Sequence, residues 1–356
     1  MKYLKRREKH TPLWAVALLD AVLVGVILLV FAFFHHVLPM LITRQQLQQK
    51  PPVTTQPSEP STVETTLPVQ TESTAATEVT TEATTEPDNR TEWQIKFAEH
   101  FTDEVVVTDH SYTSPNVSIT IDTVVKGEGS EKITYYVADI YVASLDNFKT
   151  YTPHGQMKYF DTQPALEMMD ESNAIFAISG DFLTYQSNGF LVRNGEVYIS
   201  DRNFSNCVLY PDGTMETNDR GSYQIQDILD RNPVQVWSFG PVLLDENGQV
   251  RSKYNVSEAV GFPNPRSAIG YYEPGHYCMV VVDGRKEGHS AGMRLPQLAQ
   301  VFVDLGCTTA YNLDGGGTAV MLFNGKTYSR QSNGGRELGD ILLITEEGFT
   351  YKEDTQ

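Results

Sequence analysis

An aspartate and three successive glycines, Asp314-Gly315-Gly316-Gly317, close a short apolar run from Ala310 to Leu313, and Thr318 follows with a hydroxyl. Ordering three glycines is costly, because each gives up more backbone freedom than any other residue. A folded chain bears that loss where the main chain must turn sharply or lie against a ligand, with amide N–H groups left to face it. A carboxylate beside such a turn suits a substrate that carries an anionic group. Glycine-rich turns also close plain hairpins, so the stretch needs partners before it reads as a site.

Three further segments put polar residues where strand-like runs end. Ser179-Gly180-Asp181-Phe182 follows Ala174 to Ile178, Asn264-Pro265-Arg266-Ser267 precedes Ala268-Ile269-Gly270, and Asp283-Gly284-Arg285 ends the run Cys278 to Val282. One reading gathers three carboxylates and several guanidinium groups around a single cleft. Arginine offers a planar fork that takes phosphate oxygens in pairs, and the N–H groups of Gly315 to Gly317 add donors. The other reading makes each Asp-Gly a surface turn and each arginine a solvated charge.

The elements that must position these residues are mostly strands. Val117 to Ile121 alternates, and Ile133 to Val142 reads as a longer strand. Ala174 to Ile178 and Cys278 to Val282 are continuous apolar runs, as expected of strands covered on both faces. Asn194-Gly195 predicts a two-residue hairpin and Asp212-Gly213 a second hairpin, and Asn324-Gly325 follows the run Val320–Phe323. Leu295, Leu298, Ala299, Phe302 and Leu305 recur at helical spacing, with Pro296 in the first turn and Gly306 as a stop. Ile341 to Thr345 is a closing strand. The expected fold class is α+β: a mixed, largely antiparallel sheet domain with few helices and no internal repeat.

Taken in order, Gly180-Asp181-Phe182, Phe239-Gly240-Pro241, Pro265 to Gly270, Val282 to Arg285 and Asn312 to Thr318 resemble the phosphodiester glycosidases. That domain occurs in the mannose 6-phosphate uncovering enzyme and in many bacterial envelope or exopolysaccharide proteins. The resemblance runs from about Ile133 to Thr345. It departs at Ser179, where the family often has asparagine, and at Thr318, where it has serine. It implies hydrolysis of a sugar-1-phosphodiester at the anomeric centre, with a phosphomonoester as leaving group. On that reading Asp314 is the chief catalytic carboxylate, with Asp181 and Asp283 as partner acid or base or as holders of sugar hydroxyls. Arg266 and Arg285 clamp phosphate, Arg336 is a third cation, and Ser179, Gly315, Gly316, Gly317 and Thr318 line the substrate. Phe182, Tyr185, Tyr271 and Trp237 are candidates to stack on a sugar face. Two other classes stand beside the enzyme: a non-catalytic glycan- or sugar-phosphate-binding module, and a structural ectodomain of envelope assembly.

The N-terminal region bears on location. Lys2, Lys5, Arg6, Arg7 and Lys9 precede an apolar run from Leu13 to Phe34, broken only by Asp20. A helix of that length spans about 33 Å, enough for a hydrocarbon core of about 30 Å. The charge placement predicts residues 1–12 as a cytoplasmic tail, residues 13–34 as a retained signal-anchor helix, and an extracytoplasmic remainder. Residues 45–92 read as a disordered linker, since Pro51 to Glu92 holds 13 Thr, 6 Pro and no aromatic residue. Residues 93–356 are then the globular part.

The chain carries a net charge of −18, and its first 92 residues hold 8 Lys/Arg and 10 Asp/Glu, so the acidic excess belongs to the globular part. That argues against nucleic acid as a partner. The expected partners are a glycan or sugar phosphate and, through the anchor, the membrane; the oligomeric state is not legible. Cys207, Cys278 and Cys307 do not form a disulfide framework, and no zinc spacing occurs. No cofactor and no metal ligand set is expected, with a divalent cation left open. His154, His276 and His289 have no catalytic context in the sequence.

Overall fold

The computed structural model describes residues 88–182 and 189–347. The expected tail, membrane span and most of the linker, together with Tyr185, lie outside those residues. Among the described residues no helix is long and apolar enough to cross a membrane. The first helix, α1 (Glu92–Lys96), is capped by Thr91, whose hydroxyl also donates to Ala143 O at 2.8 Å, so residues 91 and 92 join the folded part.

Among the described residues, three sheets carry the fold. A seven-stranded sheet has the order β1 (Val106–Val107), β2 (Ser111–Thr113), β3 (Val117–Lys126), β4 (Ile133–Val142), β13 (His276–Val282), β12 (Arg266–Glu273) and β14 (Thr309–Leu313). A five-stranded sheet has the order β16 (Lys326–Thr327), β15 (Met321–Phe323), β6 (Phe176–Ser179), β17 (Ile341–Ile344) and β5 (Phe148–Tyr151). The third runs β10 (Met215–Asn218), β9 (Asn206–Leu209), β11 (Gln235–Trp237), β7 (Phe190–Arg193) and β8 (Glu196–Ser200). Every pairing among the described strands is antiparallel, which fits the largely antiparallel sheet domain expected, without the parallel pairs that a mixed sheet would add.

The continuous apolar runs are explained by what covers them. Successive strand residues face opposite sides of a sheet. Along β13, Tyr277, Met279 and Val281 enter one core, while Cys278, Val280 and Val282 enter another. Along β6, Phe176 and Ile178 enter the first core and Ala177 a third. Both strands are covered on both faces, as their sequences predict.

Among the described residues α-helices are few: besides α1 they are α2 (Ala165–Glu171), α3 (Ile225–Leu229), α4 (Glu258–Gly261) and α5 (Leu295–Leu305). The last has the expected bounds, buries Leu295, Leu298, Ala299 and Phe302, and ends at Gly306 with φ +83°. The hairpins at Asn194-Gly195 and Asn324-Gly325 form with positive φ at both residues, and that at Asp212-Gly213 with positive φ at the glycine.

Antiparallel pairing decides where the polar segments go. Arg266 lies opposite Val282, and Ser267 lies opposite both Val281 and Leu313. The start of β12 and the ends of β13 and β14 therefore share one edge, carrying Arg266, Asp283 and Asp314. In the second sheet Ile341 pairs with Ser179, so Asp340 and Gly180 share an edge as well. Asp314 N donates to Gly180 O at 2.9 Å, which joins the two edges.

Candidate active site

A cleft of about 260 Å³ opens at that junction, lined by Asp314, the three glycines, Arg266, Arg285 and Arg336, with Phe239, Ala259 and Val260 as an apolar wall. The turn that forms its floor is built tightly. Gly316 N donates to Pro265 O at 2.9 Å, and Thr318 N and Oγ1 both reach Gly315 O, at 3.3 and 2.7 Å. A Cβ on Gly315 would fall 2.6 Å from Pro265 O, and Gly316 has φ +65°. The triplet thus satisfies a close approach and a left-handed turn. It offers less to a ligand than its sequence suggests, since the Gly316 amide is used on Pro265. The Gly317 N–H has no partner among the described residues.

Asp314 is 8% exposed at the mouth of this turn, and burial pushes its carboxyl up to about 6. A hydrogen bond from Thr318, the Arg336 guanidinium and the Gly315 amide pull the other way without cancelling the rise. The Arg336 contact is long, 3.3 Å from Nη2 to Oδ2, and that side chain is half exposed, so water screens it. Asp181 adds a repulsion that raises Asp314 further.

The sequence model of the phosphodiester glycosidase family matches residues 172–345. Residues 172–345 form a phosphodiester glycosidase domain. β1 to β5 lie ahead of the matched segment. The chain is 25% identical over 201 residues to the SPbeta prophage-derived uncharacterized protein YomE of Bacillus subtilis, over 52% of this chain and 31% of that protein. The matched region therefore spans about a third of that relative's length. Among solved structures, the catalytic domain of zebrafish N-acetylglucosamine-1-phosphodiester alpha-N-acetylglucosaminidase, auto-inhibited by its pro-peptide, has a TM-score of 0.52. It is 21% identical, with 68% of this chain and 88% of that chain covered. A Synechocystis protein has a TM-score of 0.50 at 13% identity, over 68% of this chain and 64% of that one. At these identities the two structures speak for the fold.

Within the phosphodiester glycosidase domain, the expected site residues fall into three places. Asp314, Gly315, Gly316, Gly317, Arg285 and Arg336 meet at the cleft. Arg285 donates to Asn264 Oδ1 at 2.6 Å and its guanidinium packs over Gly316. Arg266 reaches the cleft wall but is 4% exposed, and it spends Nε on Met293 O at 3.0 Å and Nη2 on Val260 O and Phe262 O at 2.6 and 2.9 Å. Burial and Arg285 lower its pKa to about 10. Much of its donor capacity is committed to the backbone. Thr318, 2% exposed, faces the turn it caps.

Ser179 and Asp181 lie behind the cleft. Ser179 is fully buried, 2.5 Å from Ser267 Oγ, and donates to Asp314 O at 3.2 Å. Asp181 accepts from Ser238 N at 2.5 Å and Phe182 N at 2.6 Å, and pairs with Arg193 at 3.4 Å. The same Arg193 binds Asp340 through Nε at 2.9 Å and Nη2 at 2.7 Å. All three side chains are nearly inaccessible. Burial raises Asp340 against the pull of Arg193. Sequence reasoning passed over Arg193 and Asp340. Their signal is a charge ending the apolar run Phe190–Val192 and another just before Ile341.

Asp283 stands in a third place, beside a histidine. His289 Nε2 lies 2.6 Å from its Oδ2, and Tyr136 OH donates to the same oxygen at 2.9 Å. Of the aromatic candidates, Trp237 and Tyr271 are core residues. Phe182 packs edge-on against Phe239, which lines the cleft. Among the described residues no group of His, Cys, Asp and Glu is arranged to hold a metal ion. Cys278 and Cys307 are free and buried, with sulfurs 3.3 Å apart.

Proposed function

We propose that this domain hydrolyses a sugar-1-phosphodiester on its glycosidic side. The observation that carries the reading is a buried aspartate, raised to about 6, facing a cleft with Arg285 and Arg336 beside it. The two guanidiniums and the Gly317 N–H take the phosphate oxygens. The C1–O bond breaks with its electron pair going to the phosphate, which leaves as a phosphomonoester neutralised by the arginines. Water adds to C1, and the Asp314 carboxylate accepts its proton. Phe239 and Val260 give the sugar an apolar face to rest on.

The N-terminal charges and apolar run support a membrane-anchored domain outside the cell, reached across the Thr/Pro-rich linker. An envelope polysaccharide or related glycan is the substrate that fits this placement.

Replacing Asp314 by asparagine keeps the shape and removes the base. On glycosyl phosphodiesters, Asp314→Asn should bind as the wild type does and lose turnover by about a hundredfold or more. Equal turnover by both proteins contradicts the assignment, and binding with turnover by neither makes the domain a glycan-binding module.

A further inference from the structure

Asp283 does not line the cleft, yet it touches both segments that deliver the cleft's exposed arginines. Its carboxylate is 3% exposed. Oδ2 accepts from Tyr136 OH and the His289 ring, while Oδ1 accepts from Arg330 N at 2.9 Å. Its own N–H donates to Thr134 O at 3.0 Å, and its carbonyl accepts from Ser290 Oγ at 2.6 Å. Both carboxylate oxygens are occupied by donors. Such a group holds its neighbours in place rather than receiving a proton.

One of these neighbours is the loop 283–290, closed at its base by Ser290 Oγ to Asp283 O, with Lys286 N to Ser290 O and Ser290 N to Lys286 O, at 3.0 and 2.9 Å, closing its second half. Arg285 sits on it at φ +55°, a conformation that a residue with a Cβ keeps only when its surroundings enforce it. His289, near the far end of the loop, returns to Asp283, and Asn264 Oδ1 holds the Arg285 guanidinium. The other neighbour is the segment from Arg330 to Arg336. Arg330 N is fixed on Asp283, Ser332 Oγ donates to Gly316 O at 3.3 Å, and Arg336 then reaches Asp314.

We infer that Asp283, with His289 and Tyr136, is a positioning residue that sets Arg285 and Arg336 at the spacing a phosphate diester needs. The inference rests on the reading of those arginines as phosphate ligands, and it places Asp283 outside the proton-transfer chemistry.

The test uses the full chain with Asp283→Asn, His289→Gln and Tyr136→Phe, reading inorganic phosphate affinity by calorimetry and KM against kcat on a glycosyl phosphodiester. Asp283→Asn should weaken phosphate binding and raise KM by about tenfold each, with a smaller fall in kcat. His289→Gln, which keeps an N–H donor, should stay within about threefold of wild type, since one oriented donor suffices there. Tyr136→Phe loses one of the three donors and should fall between them; it serves the same purpose if Asp283→Asn does not fold. Unchanged phosphate affinity and KM in Asp283→Asn, with a wild type that turns over, overturns the positioning role and leaves the hydrolase intact. Loss of phosphate binding in Asp283→Asn, with no turnover even in the wild type, supports the positioning role and sinks the hydrolase. A wild type that neither binds phosphate nor turns over overturns both.

Discussion

A methyl group at Gly315 would meet Pro265 O at 2.6 Å, and one at Gly316 would be held at φ +65°, whereas at Gly317 its nearest neighbour is Arg336 Cβ at 3.5 Å. The three glycines are therefore not equivalent. Gly315→Ala should cost about 2 to 3 kcal/mol through the forced backbone shift. Gly316→Ala should cost about 1 to 2 kcal/mol through left-handed strain. Gly317→Ala should be neutral or gain about 0.5 kcal/mol from a stiffer unfolded chain. Urea midpoints of the three variants check this order. Asp314 gives a second residue-scale expectation. Its folded-state pKa, about 6, lies above the ordinary 3.8, so its contribution to stability is full below pH 4 and lost as pH rises through 6. Asp314→Asn should match wild type near pH 4 and exceed it by about 2 kcal/mol at pH 8. Turnover by the wild type should rise through pH 6 as the base ionises.

At the scale of elements, β6, β7 and β17 are fastened together where Arg193 meets Asp181 and Asp340. Arg193→Met leaves two buried carboxylates without their counter-ion, and should lose about 3 to 5 kcal/mol in chemical denaturation. These elements also show what the sequence discloses. The helix Leu295–Leu305 was legible to the residue, because its apolar spacing, early proline and terminal glycine agree. The hairpins were legible because Asn-Gly and Asp-Gly supply the positive φ that such turns require. The cleft was legible at Asp314 and the exposed arginines, where polar groups interrupt apolar runs. The buried triad was not. An arginine at a strand end looks solvated until the pairing of distant strands covers it. Arg266 lines the cleft, but the use of its guanidinium on three carbonyls was hidden for a related reason, since only the fold brings them near.

The whole described molecule shares one principal core. Ile140 and Met279 of the first sheet, Phe176 and Leu342 of the second, and Leu209 and Trp237 of the third belong to a single packed cluster. The cleft lies where the first two sheets meet, so its geometry depends on that core remaining whole. Tryptophan emission and far-ultraviolet circular dichroism should report one coincident transition in urea, and two separated midpoints would show the sheets unfolding independently. The central claim concerns which bond breaks. Hydrolysis of a glycosyl-1-phosphodiester in 18O-water, with the phosphomonoester weighed by mass spectrometry, tests it directly. Attack at the anomeric carbon predicts a phosphomonoester free of the heavy isotope; 18O in the phosphate would mean attack at phosphorus and would contradict the account.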